Sequence, residues 1–299
     1  MTDTNLIEIF CIFDDFCKYF TPELKKHTLQ VPGKLHRNRA SRMSDSEIMT
    51  ILVLFYTHRF RELKSFYLGY ICQHMRGDSP HRISYNRFVE RQAQVALHLL
   101  LFLQTCALGK CSGISIIDST PLASCHIKRE RQHRTMRGWA AKGKCTMGWF
   151  YGFKLHLGIN DRGEIIQWKL TPGNVDDREP LKDKRFTERL FGKLFADRGY
   201  ISQNLFEMLF VDNIYLVTKI KKNMKNSLMS LYDKLLLRKR SVIETVNDEL
   251  KNVCQIEHTR HRAFDNFATN LIAGLIAYNL LPKKPEMNIE IIDKSRVIA

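Results

Sequence analysis

Apolar positions in the first third of the chain recur at intervals of three and four, the spacing of one face of an α-helix. Ile48, Ile51, Leu52 and Phe55 follow this period, and Ser44 and Glu47 ahead of them have the spacing of a capping box, which predicts a helix starting there. A second helix is predicted over residues 62–75, broken by Gly77, Asp78, Ser79 and Pro80. A third begins after Ser84 and runs through Phe88, Val95 and Leu99. From Cys111 the texture changes. Residues 113–118 form a short β-branched apolar run that ends on Asp118, and residues 149–159 and 164–171 flank Asn160-Asp161-Arg162-Gly163, a hairpin turn. Residues 193–197 and 214–220 read as two further strands, with a helical run near 203–210 between them.

Three consecutive strands, followed by strands separated by helix, predict an α/β fold with a mixed sheet and helices packed on it. The expected division is an all-helical N-terminal domain over residues 1–110, a sheet domain over 111–282 and a C-terminal tail over 283–299. A basic stretch, Lys34, His36, Arg37, Arg39 and Arg42, leaves two roles open for the helical domain: a DNA-binding head, or a helical cap that supports the sheet domain. The two most apolar stretches, residues 95–108 and 268–281, fall short of the roughly 20 residues that span a bilayer and read as buried helices, with no membrane partner.

Composition changes the picture through charge. The chain has 299 residues, enough for a sizeable core, and 44% of them are hydrophobic, as in globular proteins. Against 31 Asp and Glu stand 47 Lys and Arg, a formal net charge of +16. Such an excess suits a binder of phosphate backbones, because each neutralised phosphate releases condensed counterions. Eight cysteines without any Cys-x2-Cys pair fit the reduced thiols of a cytoplasmic protein. The absence of a Gly-x4-Gly-Lys-Ser/Thr loop and of a Gly-x-Ser-x-Gly elbow removes ATP-driven and serine-hydrolase chemistry from consideration.

Three acids carry the candidate chemistry. Asp118 and Asp197 close apolar strand-like runs, and Glu244 lies on a helical pattern on one face with Arg240, Asp248 and Lys251. Asp248 and Glu249 compete with Glu244 for the third position. Carboxylates brought together by a sheet are what two divalent ions need to activate a nucleophile and stabilise a leaving oxygen in phosphoryl transfer. Mg²⁺ suits the role because it takes hard oxygen ligands. Between Asp118 and its hairpin, Lys128, Arg129, Arg131, Arg134, Arg137, Lys142, Lys144 and Lys154 face a single acid, Glu130. A second basic block, from Lys219 through Lys221, Lys222, Lys225, Lys234, Arg238 and Lys239 to Arg240, leads into Glu244. If the acids converge, both blocks border one site, as a DNA groove requires. Trp139 and Trp149 are candidates for stacking on an unpaired base or for packing in the core.

Taken together, Ile-Asp-Ser-Thr-Pro at 117–121, Gly-Phe-Lys-Leu-His at 152–156, Thr-Pro-Gly-Asn-Val-Asp-Asp at 171–177, Ala-Asp-Arg-Gly-Tyr at 196–200 and His-Thr-Arg-His-Arg at 258–262 resemble the DDE transposases of the insertion-sequence 982 family, bacterial mobile elements. The apolar run at 270–278 belongs to the same resemblance, which covers most of the chain. It implies a ribonuclease H-like core in which Asp118, Asp197 and Glu244 are catalytic and bind two Mg²⁺ ions, with Mn²⁺ as a substitute. It also implies double-stranded DNA partners, the inverted-repeat ends of the element and a target, with a homo-oligomer assembled on them. Related transposases carry a Tyr-x2-Arg-x3-Glu-x6-Lys signature; Arg240, Glu244 and Lys251 match its last three members and imply DNA-backbone contacts, while Leu237 stands in the Tyr place. The expected function is cleavage at the element ends and joining of the 3′-hydroxyls to target DNA. A non-catalytic DNA-binding derivative of a transposase and a general metal-dependent nuclease are the alternatives.

Overall fold

The structure is a computed structural model that describes residues 3–27, 41–77, 81–146, 148–219, 229–257 and 261–288. Two compact lobes divide the chain: a helical lobe of Met1–Ala107 with Leu250–Leu280, and a sheet lobe of Leu108–Glu249 with Leu281–Ala299.

The helical lobe begins with α1 (Asp3–His27) and α2 (Asp45–Thr57). At α2 the expected capping box is present: the Ser44 hydroxyl accepts from the Glu47 amide at 3.1 Å, and the Glu47 carboxylate accepts from the Ser44 amide at 2.6 Å. Helix α3 (Leu63–Ser65) runs on into a π-helical segment (Phe66–His74), over the range predicted for the second helix. The third predicted helix is divided. Helix α4 (Tyr85–Gln94) ends at Val95, whose φ of −90° and ψ of 2° interrupt the helical path before α5 (Ala96–Phe102) and its π-helical end (Leu103–Ala107). Val95 is fully buried, so the interruption is packed into the core and exposes no break to solvent.

Apolar residues on every face of α2 and of the C-terminal helix (Phe264–Asn279) put both at the centre of the lobe, where almost their whole length is buried. Each large side chain so buried contributes about 1.5–3 kcal/mol. The sequence pattern assigns the C-terminal helix to the sheet domain; the structure seats it against α2, α4 and α5, which offer the apolar surface it needs. Tyr56 donates to Asn270 Oδ1 at 3.2 Å and fixes its rotation. Among the described residues no helix is long and apolar enough to cross a membrane.

In the sheet lobe, β1 (Ile114–Cys125), β2 (Ala141–Cys145), β3 (Gly148–Asn160) and β4 (Ile165–Pro172) come first. They are followed by a one-turn helix α6 (Lys184–Thr187), β5 (Gly192–Ala196), α7 (Gln203–Val211), β6 (Ile214–Thr218), α8 (Leu231–Lys239) and α9 (Val242–Asp248). Strands lie in the order β4-β3-β1-β5-β6; β3 is antiparallel to both neighbours, and β1, β5 and β6 run parallel. This is the ribonuclease H-like mixed sheet with flanking helices that was expected. The predicted hairpin joins β3 to β4: the Gly163 amide donates to the Asn160 carbonyl at 3.1 Å, with Gly163 at a φ of +72° that favours glycine.

Strand β2 is absent from the sequence prediction because Ala-Lys-Gly-Lys-Cys has no apolar alternation. It pairs with the first half of the same β3 edge whose second half takes β4. Strand β1 is longer than predicted and carries Asp118 in its interior. Its ladder with β5 ends at Ile116, so Pro121, which has no N–H to give, sits where only β3 is a partner. One sheet face is sealed by a core of Ile117, Leu194, Ala196 and Ile214 with Leu205 and Leu209 of α7. The described part of the expected tail is not free: the Met287 amide donates to the Asp161 carbonyl at 2.8 Å, and Lys239 donates to the carbonyls of Met287 and Asn288.

Candidate active site

Strand register brings the first two acids together. In the parallel ladder Ile114 pairs with Lys193 and Ile116 with Phe195, an offset of 79 residues (193 minus 114). Asp118 and Asp197 differ by the same 79 (197 minus 118), and Asp197 keeps extended backbone with φ −75° and ψ 169°. The ladder itself ends at Ile116 and Phe195; continued by two residues it would set Asp118 opposite Asp197, and the Asp197 charge does act on Asp118. Alternation puts them on the face opposite the Ile117 and Ala196 core. Ile117 is buried in a dry core while Asp118 next to it faces polar groups, which is why an apolar run can end on a carboxylate without breaking the sheet.

Helices α8 and α9 supply the other side of the site. Helix α9 packs on β1 with Ile243, Val246 and Asn247 buried, and Asn247 Nδ2 donates to Asp118 Oδ2 at 3.4 Å. The turn between the two helices holds Arg240, whose side chain is 13% exposed and whose Nη2 lies 3.8 Å from Asp197 Oδ1 and 3.5 Å from Glu244 Oε1. One guanidinium therefore gathers the second and third predicted acids. Glu244 itself is exposed, as is Asp248.

A polar network occupies the opposite face at the same level. Asp177 accepts from the Ser119 hydroxyl at 2.7 Å and from Lys154 Nζ at 2.9 Å, and Lys154 also donates to the Val175 carbonyl. His156, fully buried, shares a 2.8 Å hydrogen bond with Thr171. Lys154 is thus committed to a carboxylate and does not join the open basic surface that the charge count assigned to it.

Electrostatics single out Asp118. Burial pushes its carboxyl up to about 6; the Ser119 amide and Arg240 pull it down, and Asp197 and Asp177 push it further up. His156 is held neutral, lowered to about 4 chiefly by burial. Burial keeps the Tyr200 phenol protonated well above its ordinary range, with Asp118 and Asp177 adding to the effect.

Lys128, Arg129, Arg131, Arg134, Arg137, Lys142 and Lys144 are all exposed, on the 3₁₀ turn Ile127–Gln132, the loop after it and β2. Trp139 and Trp149 are each 55% exposed, so core packing does not hold them, and the Lys142 ammonium lies 4.6 Å from the Trp149 ring centre. Lys251 belongs to the helical lobe, where it pairs with Glu257 at 3.4 Å. Leu237, at the Tyr place of the signature, is a buried core residue. Lys34, His36, Arg37, Arg39, Lys221, Lys222, Lys225 and His258-Thr259-Arg260 lie outside the described residues. Sequence reading overlooked Asn247, Asp177 and Ser119. Asn247 occupies a helix position outside the polar face of Arg240, Glu244, Asp248 and Lys251 that drew notice, and the signal available for Asp177 was its place in Thr-Pro-Gly-Asn-Val-Asp-Asp.

Among the described residues no three His, Cys, Asp or Glu side chains form a tight metal-holding cluster. The donors that are present still suit a hard divalent cation. Two carboxylates follow the last β1–β5 pair and repel one another, and burial pushes one of them, Asp118, up to about 6, a deficit that a cation would cover.

Comparison with curated proteins gives no match. Among solved structures, the chain is similar to the piggyBac transposase in its synaptic complex with hairpin DNA, at 12% identity and a TM-score of 0.49, covering 92% of this chain and 73% of that one. It is also similar to the Mos1 transposase of a strand transfer complex, at 13% identity and a TM-score of 0.23, covering 88% and 83%. A family model described as the Transposase DDE domain matches residues 108–264, the stretch that contains Asp118, Asp197, Glu244 and Arg240 and just over half of the chain. The chain belongs to that family and is a DDE-type transposase.

Proposed function

We propose that this transposase cleaves phosphodiester bonds at the inverted-repeat ends of its own insertion element and joins the freed 3′-hydroxyls to target DNA. Asp118, Asp197 and Glu244 are the catalytic carboxylates. The observation that carries the reading is the shared 79-residue offset, which aligns Asp118 with Asp197, while Arg240 ties Asp197 to Glu244. The motifs quoted above support membership in the insertion-sequence 982 family, and with it a bacterial cytoplasmic setting.

Asp118 and Asp197 would hold Mg²⁺, or Mn²⁺ in its place, with Glu244 completing the site of a second ion; such ions would supply activation of the attacking oxygen and stabilisation of the leaving one. Above about pH 6 Asp118 is ionised and its oxygens are available as ligands. Asn247, by donating to Asp118 Oδ2, fixes the carboxylate's rotation and leaves the other oxygen free for coordination. Arg240 holds two carboxylates close at a cost in repulsion that its own charge offsets. The exposed cations from Lys128 to Lys144 contact the phosphate backbone of double-stranded DNA, and Arg240 and Lys251 join them when phosphates replace their carboxylate partners. Coordinated cutting of two ends calls for a homo-oligomer on the DNA.

The test is Mg²⁺-dependent cleavage and joining on labelled DNA carrying the gene's own flanking ends, with wild type and Asp118→Ala in parallel. Products at the repeat boundary that vanish in the variant are the expected result. Binding without products in both Mg²⁺ and Mn²⁺ would instead establish a non-catalytic DNA-binding protein, and cleavage without regard to the ends a general nuclease.

A further inference from the structure

The helical lobe contains a cavity of about 590 Å³, within the range of small-molecule sites, which the catalytic reading leaves unused. Phe55, Phe60 and Tyr85 are among its walls. Two amides there have a group left over. Asn270 accepts from Tyr56 and donates to the Asn266 carbonyl at 2.8 Å, so its amide orientation is set; it also donates to Gln92 Oε1 at 3.1 Å. Gln92 is 1% exposed, and its Nε2 has no partner among the described residues. Gln255 spends its Nε2 on the Arg59 carbonyl at 3.1 Å, which leaves its buried Oε1 unpartnered. Both Gln255 and Arg59 are non-glycine residues with left-handed backbone, at φ of +51° and +58°. Strain of this kind persists where the surrounding structure enforces it and clusters at ligand sites. Arg61, Lys64 and Arg262 line the same cavity, exposed and without a carboxylate partner among the described residues; Glu62 beside them bonds the Ser65 hydroxyl at 2.7 Å.

An apolar guest would leave both amides unsatisfied, and a simple anion would leave the aromatic walls uncovered. A planar ring with a hydrogen-bonding edge and an attached anion satisfies all three features at once. We propose that this cavity binds a nucleotide, with the base among the aromatic walls, its edge paired to Gln92 Nε2 and Gln255 Oε1, and its phosphate at Arg61, Lys64 and Arg262. Free nucleotide and an unpaired nucleotide in DNA share this chemistry. The inference does not depend on Asp118, Asp197 or Glu244, which lie in the other lobe.

The experiment is calorimetric titration of the full chain in EDTA with AMP, adenosine, inorganic phosphate, a perfect duplex and the same duplex with one bulged nucleotide. Saturable AMP binding is expected, at least tenfold tighter than phosphate. Gln92→Leu and, separately, the exposed double variant Arg61→Ala with Lys64→Ala should each weaken it at least tenfold with the thermal melt retained, and Asp118→Ala should leave it unchanged. Tighter binding of the bulged than of the perfect duplex, lost in Gln92→Leu, assigns the source as DNA; AMP binding with the two duplexes equal assigns free nucleotide. Phosphate binding as tightly as AMP, no saturation by AMP together with equal binding of the two duplexes, or full AMP binding by a folded Gln92→Leu or by the double variant would overturn the proposal and leave water as the partner of the two amides.

Discussion

At Asp118, folding works against itself. The unfolded carboxyl titrates near 3.8 and the folded one near 6. Between these values the unfolded chain holds fewer protons, so stability falls as pH rises, and the full cost, roughly 3 kcal/mol, is present above about pH 6. In metal-free buffer at pH 7, Asp118→Asn should therefore raise stability by about 1–3 kcal/mol while removing the chemistry. Urea melts in EDTA read this directly; a midpoint at or below wild type would contradict it. The neighbouring network gives a second prediction. Lys154→Met removes the 2.9 Å partner of Asp177 while Ser119 stays, which should destabilise the protein by about 1–3 kcal/mol in the same melts. It should also move Asp118 higher still, because Asp177 already pushes it up. That Asp118 and Asp197 end apolar runs was legible in the sequence, where a carboxylate at a strand end serves equally well to cap a turn. Asn247 and Asp177 were not, since a polar residue on a helix or loop is ordinarily solvated.

Elements place these residues through backbone contacts that composition does not announce. Strand β2 lies against the loop at Gly173, and a Cβ on Gly143 would overlap the Gly173 carbonyl oxygen, as would one on Gly173 the Ala141 carbonyl. Gly143→Ala should cost about 1–3 kcal/mol and lower the melting temperature, even though the position lies in a strand where alanine is otherwise acceptable. A melt indistinguishable from wild type would show that the loop gives way freely. In α9 the face turned inward is Ile243, Val246 and Asn247, while Glu244 and Asp248 of the predicted polar face are exposed.

The whole molecule combines a +16 charge with opposing titrations. His156 and His261, both lowered to about 4 by burial, must charge when the chain unfolds in acid, so each takes roughly 3 kcal/mol from stability as pH falls from 6.5 to 4. Asp118 returns part of that loss below pH 6, and Asp118→Asn should steepen acid unfolding in this window, as urea midpoints at half-unit pH steps would show. On DNA, glutamine at Lys128, Arg129, Lys142 and Lys144 should reduce the slope of log binding constant against log salt by up to about 0.9 for every phosphate that is no longer neutralised. An unchanged slope would move the DNA surface elsewhere on the chain.

What the chain determined locally, it determined by itself. The caps at Ser44 and Ser84, the Asn160–Gly163 turn and the change from helical to strand texture near residue 111 all follow from neighbours within a few residues, whose spacing has direct steric and hydrogen-bonding meaning. Tertiary structure decided the rest. Only the β1–β5 register could show that a 79-residue separation is a side-by-side pair, and only packing could move the C-terminal helix into the helical lobe, since an all-apolar helix specifies burial but not its partner. Whether a basic residue stays exposed, as at Lys142, or becomes half of an ion pair, as at Lys154, depends on which carboxylate the fold brings within 3 Å, and that distance is set by strands far apart in the sequence.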